Sequence, residues 1–341
     1  MATVRTQRRF RRTTHPRRST ALDGMLMDPE CHPHLWLTED NQDVSFRELL
    51  QSVRCKRNSL SEISIYNILS RFSKLEIIQL YNTVAELPHL ENFSVWASQA
   101  LTLPVLTTFL QKAQNLEQAA FNNIEVHSLE GLCIFSETVL HHPKLKRLSL
   151  ENIQIMVDDV TIDVLLKAAS QKPKLESLRL SSPEGKKAIV SNSDSLVRLC
   201  RSSSLKELFF WGIPLTDENV IRMAEALKLQ TGDQCQESKL STLGLRKCGP
   251  TLTEKGYEAL VHMLQQNFCL KSIYLDPSVD ADIRWRVNFY LYLNQSGTRQ
   301  ALLKNPNTTR ETRVDLLALH SDDLNALFYL LEESGATLFR S

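Results

Sequence analysis

Glycine is scarce in this chain, 10 residues in 341, and none of it builds a loop that could cradle a phosphate; the nearest stretch, PEGKKA at 183–188, lacks the spacing. That absence excludes a nucleotide site of the glycine-loop kind. The seven cysteines (Cys31, Cys55, Cys133, Cys200, Cys235, Cys248, Cys269) are odd in number and scattered. They make no disulfide framework and are expected to be free thiols in a reducing compartment. No apolar run approaches the roughly eighteen residues of a membrane-spanning helix, and no signal-peptide core follows the first basic residues, so neither membrane insertion nor secretion is expected. The nine histidines are dispersed and no nucleophile motif is visible, which argues against an enzyme. CHPH, Cys31 to His34, has a metal-like spacing, but no second ligand pair follows it, so neither metal nor cofactor is expected.

What is present is an ordinary globular composition, 42% hydrophobic and 23% charged, organised by a repeat. The clearest copy is LKRLSLENIQI, residues 145–155, with leucines at the first, fourth and sixth places. The same spacing recurs in Leu116-Ala119-Phe121, Leu175-Leu178-Leu180, Leu205-Leu208-Phe210, Leu240-Leu243-Leu245 and Leu270-Ile273-Leu275. First residues are separated by 29, 30, 30, 35 and 30 positions, and the long interval coincides with a polar insertion, QTGDQCQESK. Upstream, Leu60-Ile63-Ile65, Leu75-Ile78-Leu80 and Leu90-Phe93-Val95 recur every 15 residues, which leaves no room for a full helix and predicts three short repeats carrying turns or short helical pieces. HPHLWL, residues 32–37, is a candidate for one further strand.

Helical periodicity fills the later intervals. Val220, Met223, Ala224 and Leu227 share one face behind Thr216, a candidate N-cap followed by two acids. Tyr257, Leu260, Val261, Leu264 and Phe268 form another stripe. Pro88, Pro143 and Pro173 each stand two residues before a strand leucine, where proline ends a helix. His141 and His142 precede Pro143 at a helix end, where positive charge is favoured. Strand, turn and helix therefore alternate, which predicts an α/β fold with a parallel sheet and helices on one face.

Over residues 60–276 this unit resembles the leucine-rich repeat, and its intervals resemble the ribonuclease-inhibitor-like subtype. The resemblance implies a horseshoe solenoid with an inner parallel sheet and outer helices. It departs from the family in one respect. The ninth position, usually Asn or Cys, is Ile68, Thr83, Ile124, Ile153 and Ile213 here and matches only at Cys248; Asn stands one place earlier, at 67, 82, 123 and 152. Either the turn register or the way the backbone is satisfied must differ.

The resemblance also implies a binding surface on the inner face, where the fifth and seventh residues point. Those places hold Tyr66, Tyr81 and Trp96, expected to stack as a ladder, and Arg179, Phe209, Trp211, Arg246 and Tyr274, expected as a second cluster. The expected role is a noncatalytic scaffold or adaptor for a protein partner, as a monomer. Similar solenoids suggest two alternatives, a ubiquitin-ligase substrate receptor, although 35–53 is too short for its recruitment domain, and a GTPase-activating regulator, although no matching catalytic motif is present.

Charge sets off the first residues. Positions 1–20 hold seven Arg and no acid, whereas the remaining 321 residues carry 33 basic against 39 acidic groups. The chain divides into a disordered basic arm (1–28), an N-terminal cap or first irregular repeat (29–59), the repeats (60–276) and a helical C-terminal cap (277–341). In the arm, Arg8, Arg9, Arg11, Arg12, Arg17 and Arg18 could engage an import receptor or a polyanion such as nucleic acid, could belong to a presequence, or could be a solvated tail. A cytoplasmic or nuclear location follows. The last block, with Ser321 as a candidate N-cap and Gly335 as a candidate C-cap, also resembles the ends of uncharacterised leucine-rich-repeat proteins of unicellular algae.

Overall fold

The computed structural model describes residues 34–37, 44–66, 71–96, 100–157, 160–183, 188–228 and 239–295, with Asp315, Leu317, Ala318 and Leu330. The Arg arm, Cys31 and His32, most of the polar insertion, and the expected caps at Ser321 and Gly335 lie outside the described residues.

Strands and helices alternate along the chain. The strands are β1 (His34–Leu37), β2 (Glu62–Tyr66), β3 (Asn92–Trp96), β4 (Leu101–Thr102), β5 (Gln118–Val126), β6 (Arg147–Ile155), β7 (Ser177–Ser181), β8 (Glu207–Trp211), β9 (Thr242–Arg246) and β10 (Ser272–Leu275). The helices are α1 (Phe46–Cys55), α2 (Lys74–Ala85), α3 (Leu103–Lys112), α4 (Leu129–His141), α5 (Asp163–Gln171), α6 (Ser193–Cys200), α7 (Asp217–Leu227), α8 (Glu254–Leu264) and α9 (Ala281–Gln295). All strand pairs are parallel, and the order along the sheet is the order in sequence, with short β4 set beside the end of β5. Each repeat thus touches its predecessor and its successor, the arrangement of a solenoid. Among the described residues no helix is long and apolar enough to cross a membrane.

The first, fourth and sixth residues of each unit are the core. Leu145, Leu148 and Leu150, Leu175, Leu178 and Leu180, and Leu205, Leu208 and Phe210 are all buried. Burying one such side chain contributes about 1.5–3 kcal/mol, so the repeated triplet sets the register of the stack. At the N-terminal end the core is aromatic instead: Tyr81, Phe93, Phe109 and Phe121 pack with centroids 4.6–6.4 Å apart.

Two expectations need correction. Leu75-Ile78-Leu80 is not a strand but part of α2, which begins with a reciprocal capping box between Ser73 and Glu76. The 15-residue spacing is therefore one ordinary unit of 30, Leu60 to Leu90, with a full helix between its strands. Tyr81, assigned to the exposed ladder, lies on that helix at 1% exposure; its hydroxyl finds no hydrogen-bond partner among the described residues, and burial raises its pKa well above the ordinary value.

The misplaced asparagine has a backbone cause. The eighth residue of the unit lies in the left-handed region at Asn123 (φ 62°), Asn152 (φ 56°), Gly212 (φ 69°) and Lys247 (φ 51°). Asn and Gly tolerate that region best. The turn it makes sends the ninth side chain inward, and Ile124, Ile153, Ile213 and Cys248 are all buried in the core. Apolar packing therefore fills the ninth position.

Polar contacts between units run through the turn itself, where Asn152 and Gln154 donate to Asn123 Oδ1 and Ser182 to Ile153 O, and through several of the returns between helix and strand. His142 donates from Nε2 to the Ala113 carbonyl at 3.0 Å while Nδ1 accepts from the Leu145 amide at 3.1 Å. Lys172 donates to the His142 carbonyl at 2.5 Å, Asn267 to Leu227 O at 2.7 Å, and Asn294 to Asn267 O at 2.9 Å. His142 is thus the neutral Nε2–H tautomer, not a helix-end charge. Burial holds its pKa below the usual histidine value, with the Ala113 bond opposing and the Lys172 charge adding to the shift; burial chiefly, and Lys174 next, bring Lys172 down to about 8.

Candidate functional site

Among the described residues one face of the sheet carries no helix, and register places its outward residues in three rows that cross the strands. The middle row reads Trp36, Ser64, Ser94, Ala120, Ser149, Arg179, Phe209, Gly244 and Tyr274. A second row holds Tyr66, Trp96, Asn122 and Glu151, then Ser181, Trp211 and Arg246. The third begins His34, Glu62, Asn92, Gln118, Arg147, Ser177 and Glu207. Side-chain size along the middle row gives the face its relief.

From β2 to β6 the middle row is Ser or Ala, and a trough of about 500 Å³ opens above it, between the aromatics of one flanking row and the polar groups of the other. Trp36, 53% exposed, stands at its N-terminal end, and Arg179 closes the other, about 24 Å away at the usual 4.8 Å between strands. Tyr66 and Trp96 stack directly at 6.2 Å with their planes 11° apart. The Trp96 indole donates to Ser94 Oγ at 3.1 Å, which leans it over the floor. The expected ladder is therefore a pair, without Tyr81.

From β7 onward the relief reverses into a ridge. The Arg179 guanidinium lies 4.7 Å from the centre of the Phe209 ring, and Phe209 meets Tyr274 at 5.6 Å. Phe209 and Tyr274 are two strands apart, and they touch because Gly244 lies between them with no side chain. A Cβ at Gly244 would stand 2.2 Å from Phe209 Cδ1. Trp211, 51% exposed, carries Arg246 at 5.7 Å from its ring centre. The structure thus brings Arg179, Phe209 and Tyr274 together, with Trp211 and Arg246 beside them, on one side of the trough.

Charge differs along the face. Arg179 and Ser177 both donate to Glu207, at 2.9 and 3.0 Å; burial works to raise the Glu207 carboxyl, but these bonds outweigh it and hold the pKa below the usual value. For Glu151 the balance is opposite: burial raises it, and the Ser149 hydrogen bond at 3.1 Å and the Arg179 charge offset this only in part.

Trp36 and Gly244 are not contact candidates by sequence, and Glu151 is legible only as an inner-face residue of LKRLSLENIQI available to a partner. Trp36 was within reach, because HLWL alternates as a strand and pairs in register with the next unit. Gly244 had no sequence signal, since its meaning depends on a ring from the neighbouring strand. Among the described residues no group of His, Cys, Asp and Glu is arranged to hold a metal.

No protein-family profile matches the chain, and no curated protein matches it. Solved structures do. The chain is similar to the leiomodin-1 actin-binding site 2 (15% identity, 57% of this chain and 92% of that one, TM-score 0.33). It is similar to the yeast Rad7–Elc1 complex (14%, 72% and 71%, TM-score 0.42) and to the tropomodulin C-terminal domain of Caenorhabditis elegans (16%, 77% and 100%, TM-score 0.20). Likenesses this distant assign no activity. The repeat-solenoid architecture rests on strand order and register in this chain.

Proposed function

We propose that the protein is a noncatalytic scaffold or adaptor that binds a protein partner on the open face of its sheet. The observation that carries this reading is the ridge: Arg179, Phe209 and Tyr274 in successive contact, and Trp211 with Arg246 on the neighbouring row, with a glycine making room for one of the rings. Aromatic residues and arginine dominate the energetics of protein interfaces, and a preassembled cluster loses little side-chain freedom on binding. In this reading the repeat is the long, ribonuclease-inhibitor-like class, the sheet curves with the open face inside the horseshoe, and residues 277–341 cap the C-terminal end, beginning with α9, which packs on α8 and β10. A monomer suffices, because the surface is complete in one chain.

The test is copurification from the native source with Phe209→Ser and Trp211→Ser combined. Loss of specific partners, with an unchanged melting transition, supports the reading. An unchanged partner set in a folded double variant overturns it.

A separate role for the arm follows from its charge, seven Arg and no acid in twenty residues. It engages an import receptor or a polyanion, placing the protein in the nucleus as well as the cytoplasm. Replacing Arg8, Arg9, Arg11, Arg12, Arg17 and Arg18 with Ser shifts the protein out of the nucleus, or flattens the salt dependence of polyanion binding, if that role is correct.

A further inference from the structure

The trough differs from the ridge in the company its charges keep. On the ridge side Glu207 is hydrogen-bonded by Arg179 and Ser177. Inside the trough, Glu62 meets the His34 imidazole at 3.1 Å, a cation only when protonated, and Glu151 accepts from the Ser149 hydroxyl at 3.1 Å, with the Arg179 charge acting on it from the trough's end; Arg147 is the trough's other cation, in the row opposite Glu151. Each carboxylate stands near an aromatic surface. Glu151 shares its row with the Tyr66–Trp96 stack, two strands from Trp96 or about 9.6 Å, and Glu62 faces His34 on the strand that carries Trp36. A cation that lies on an indole face and reaches a carboxylate satisfies both. Between the two, Asn92 and Gln118 pair in register across β3 and β5 and offer carboxamides, which can both donate to and accept from a peptide backbone. The floor of Ser and Ala leaves room for that backbone.

Taking the open face as a binding surface, the geometry points to the chemistry of its partner: an extended segment rich in arginine or lysine, lying across the strands from β1 to β7. One of its cations rests on Tyr66–Trp96 and pairs with Glu151, and another pairs with Glu62 beside Trp36. An extended chain crosses the trough in about seven residues at 3.3 Å each. The segment's backbone bonds to Asn92 and Gln118, and one end of it meets the ridge at Arg179.

The experiment titrates the full-length protein into short fluorescent peptides of alternating Arg and Ser, alternating Lys and Ser, and alternating Glu and Ser, with anisotropy as the readout. The two basic peptides bind and the acidic one does not. Glu151→Gln and Trp96→Ser each weaken the Arg peptide about tenfold or more, the loss expected of one charge-assisted contact. Glu137→Gln, on the outer helix α4, leaves the affinity unchanged and so separates the trough from general charge. Equal binding of basic and acidic peptides, or full affinity in Glu151→Gln with an unchanged melting transition, overturns the inference. The two readings fail separately. Partners lost with Phe209→Ser and Trp211→Ser but no basic selectivity leave the open face a binding surface for other chemistry. Selective peptide binding with an unchanged partner set removes the ridge and leaves the trough.

Discussion

The two ends of the solenoid both carry aromatic residues on the open face but differ in their cores and in the middle row of that face. At the N-terminal end Tyr81, Phe93, Phe109 and Phe121 fill the core, and the open face above them is hollow, floored by Ser64, Ser94 and Ala120. Toward the C-terminal end the core beneath β7 and β9 is leucine, and the rings stand outside as Phe209, Trp211 and Tyr274. The backbone plan is the same at both ends, down to residue-for-residue register. Inward positions determine whether the stack holds together. Outward positions shape its surface, and the alternation of a strand lets the two be set independently.

The largest test of that separation is Phe93→Ala, which removes a fully buried ring beneath the trough. It is expected to cost about 3–5 kcal/mol, against less than about 1 kcal/mol for Phe209→Ala on the ridge, as read from urea unfolding midpoints. Equal costs would break the contrast, because Phe209 would then be a structural residue.

A smaller effect sharpens the surface half of the comparison. In Gly244→Val the new Cβ displaces the Phe209 ring, which can swing outward because it lies on the surface. Net stability is expected to change by no more than about 1 kcal/mol, since a strand glycine is itself unfavourable by about 0.5–1 kcal/mol. The Phe209–Tyr274 contact is lost, and ring chemical shifts of Tyr274 report it. Unmoved shifts would mean that the glycine does not set the ridge.

The smallest effect concerns the join between the two ends. His142 bonds the β6 unit to the return before β5, and its neutral form is required there. Because burial lowers its folded pKa, the unfolded chain takes up the proton first, so this group's contribution is present above about 6.5 and is lost as pH falls below it. His142→Asn copies the bonding of Asn267, which occupies the same place before Leu270, donating to Leu227 O and accepting from the Leu270 amide. The variant is expected to match the parent at pH 7.5 within about 1 kcal/mol and to lose less stability between pH 6.5 and 5. Parallel unfolding midpoints across that range would show that His142 does not supply the acid sensitivity.

How far the sequence discloses all this follows the same division. Leu116 to Leu275 repeats its triplet against helical sequence, so strands β5 to β10 are legible one by one. Leu75-Ile78-Leu80 misleads because its spacing of three and then two suits a strand triplet, whereas the buried stripe of α2 is Ile77, Leu80, Tyr81 and Val84, and Leu75 is exposed. The sequence SKLE, Ser73 to Glu76, was the available discriminator, being a capping box ahead of an apolar run. Tyr81 follows from that error: a residue read as outward on a strand becomes inward on a helix. The clusters at Arg179, Phe209, Trp211, Arg246 and Tyr274 could be listed from their places in the unit. Their contacts could not, because ring orientation depends on which neighbour leaves space.

Phe209 and Gly244, 35 residues apart in sequence, therefore constrain each other as a heritable pair. Among relatives of this protein, a larger residue at the glycine place should be found with a smaller one at the phenylalanine place, and lineages that keep the large ring should keep the glycine. Drift at either site alone reshapes the surface before it threatens the fold, so a family built on this plan can change partners by steps that selection on stability would scarcely detect.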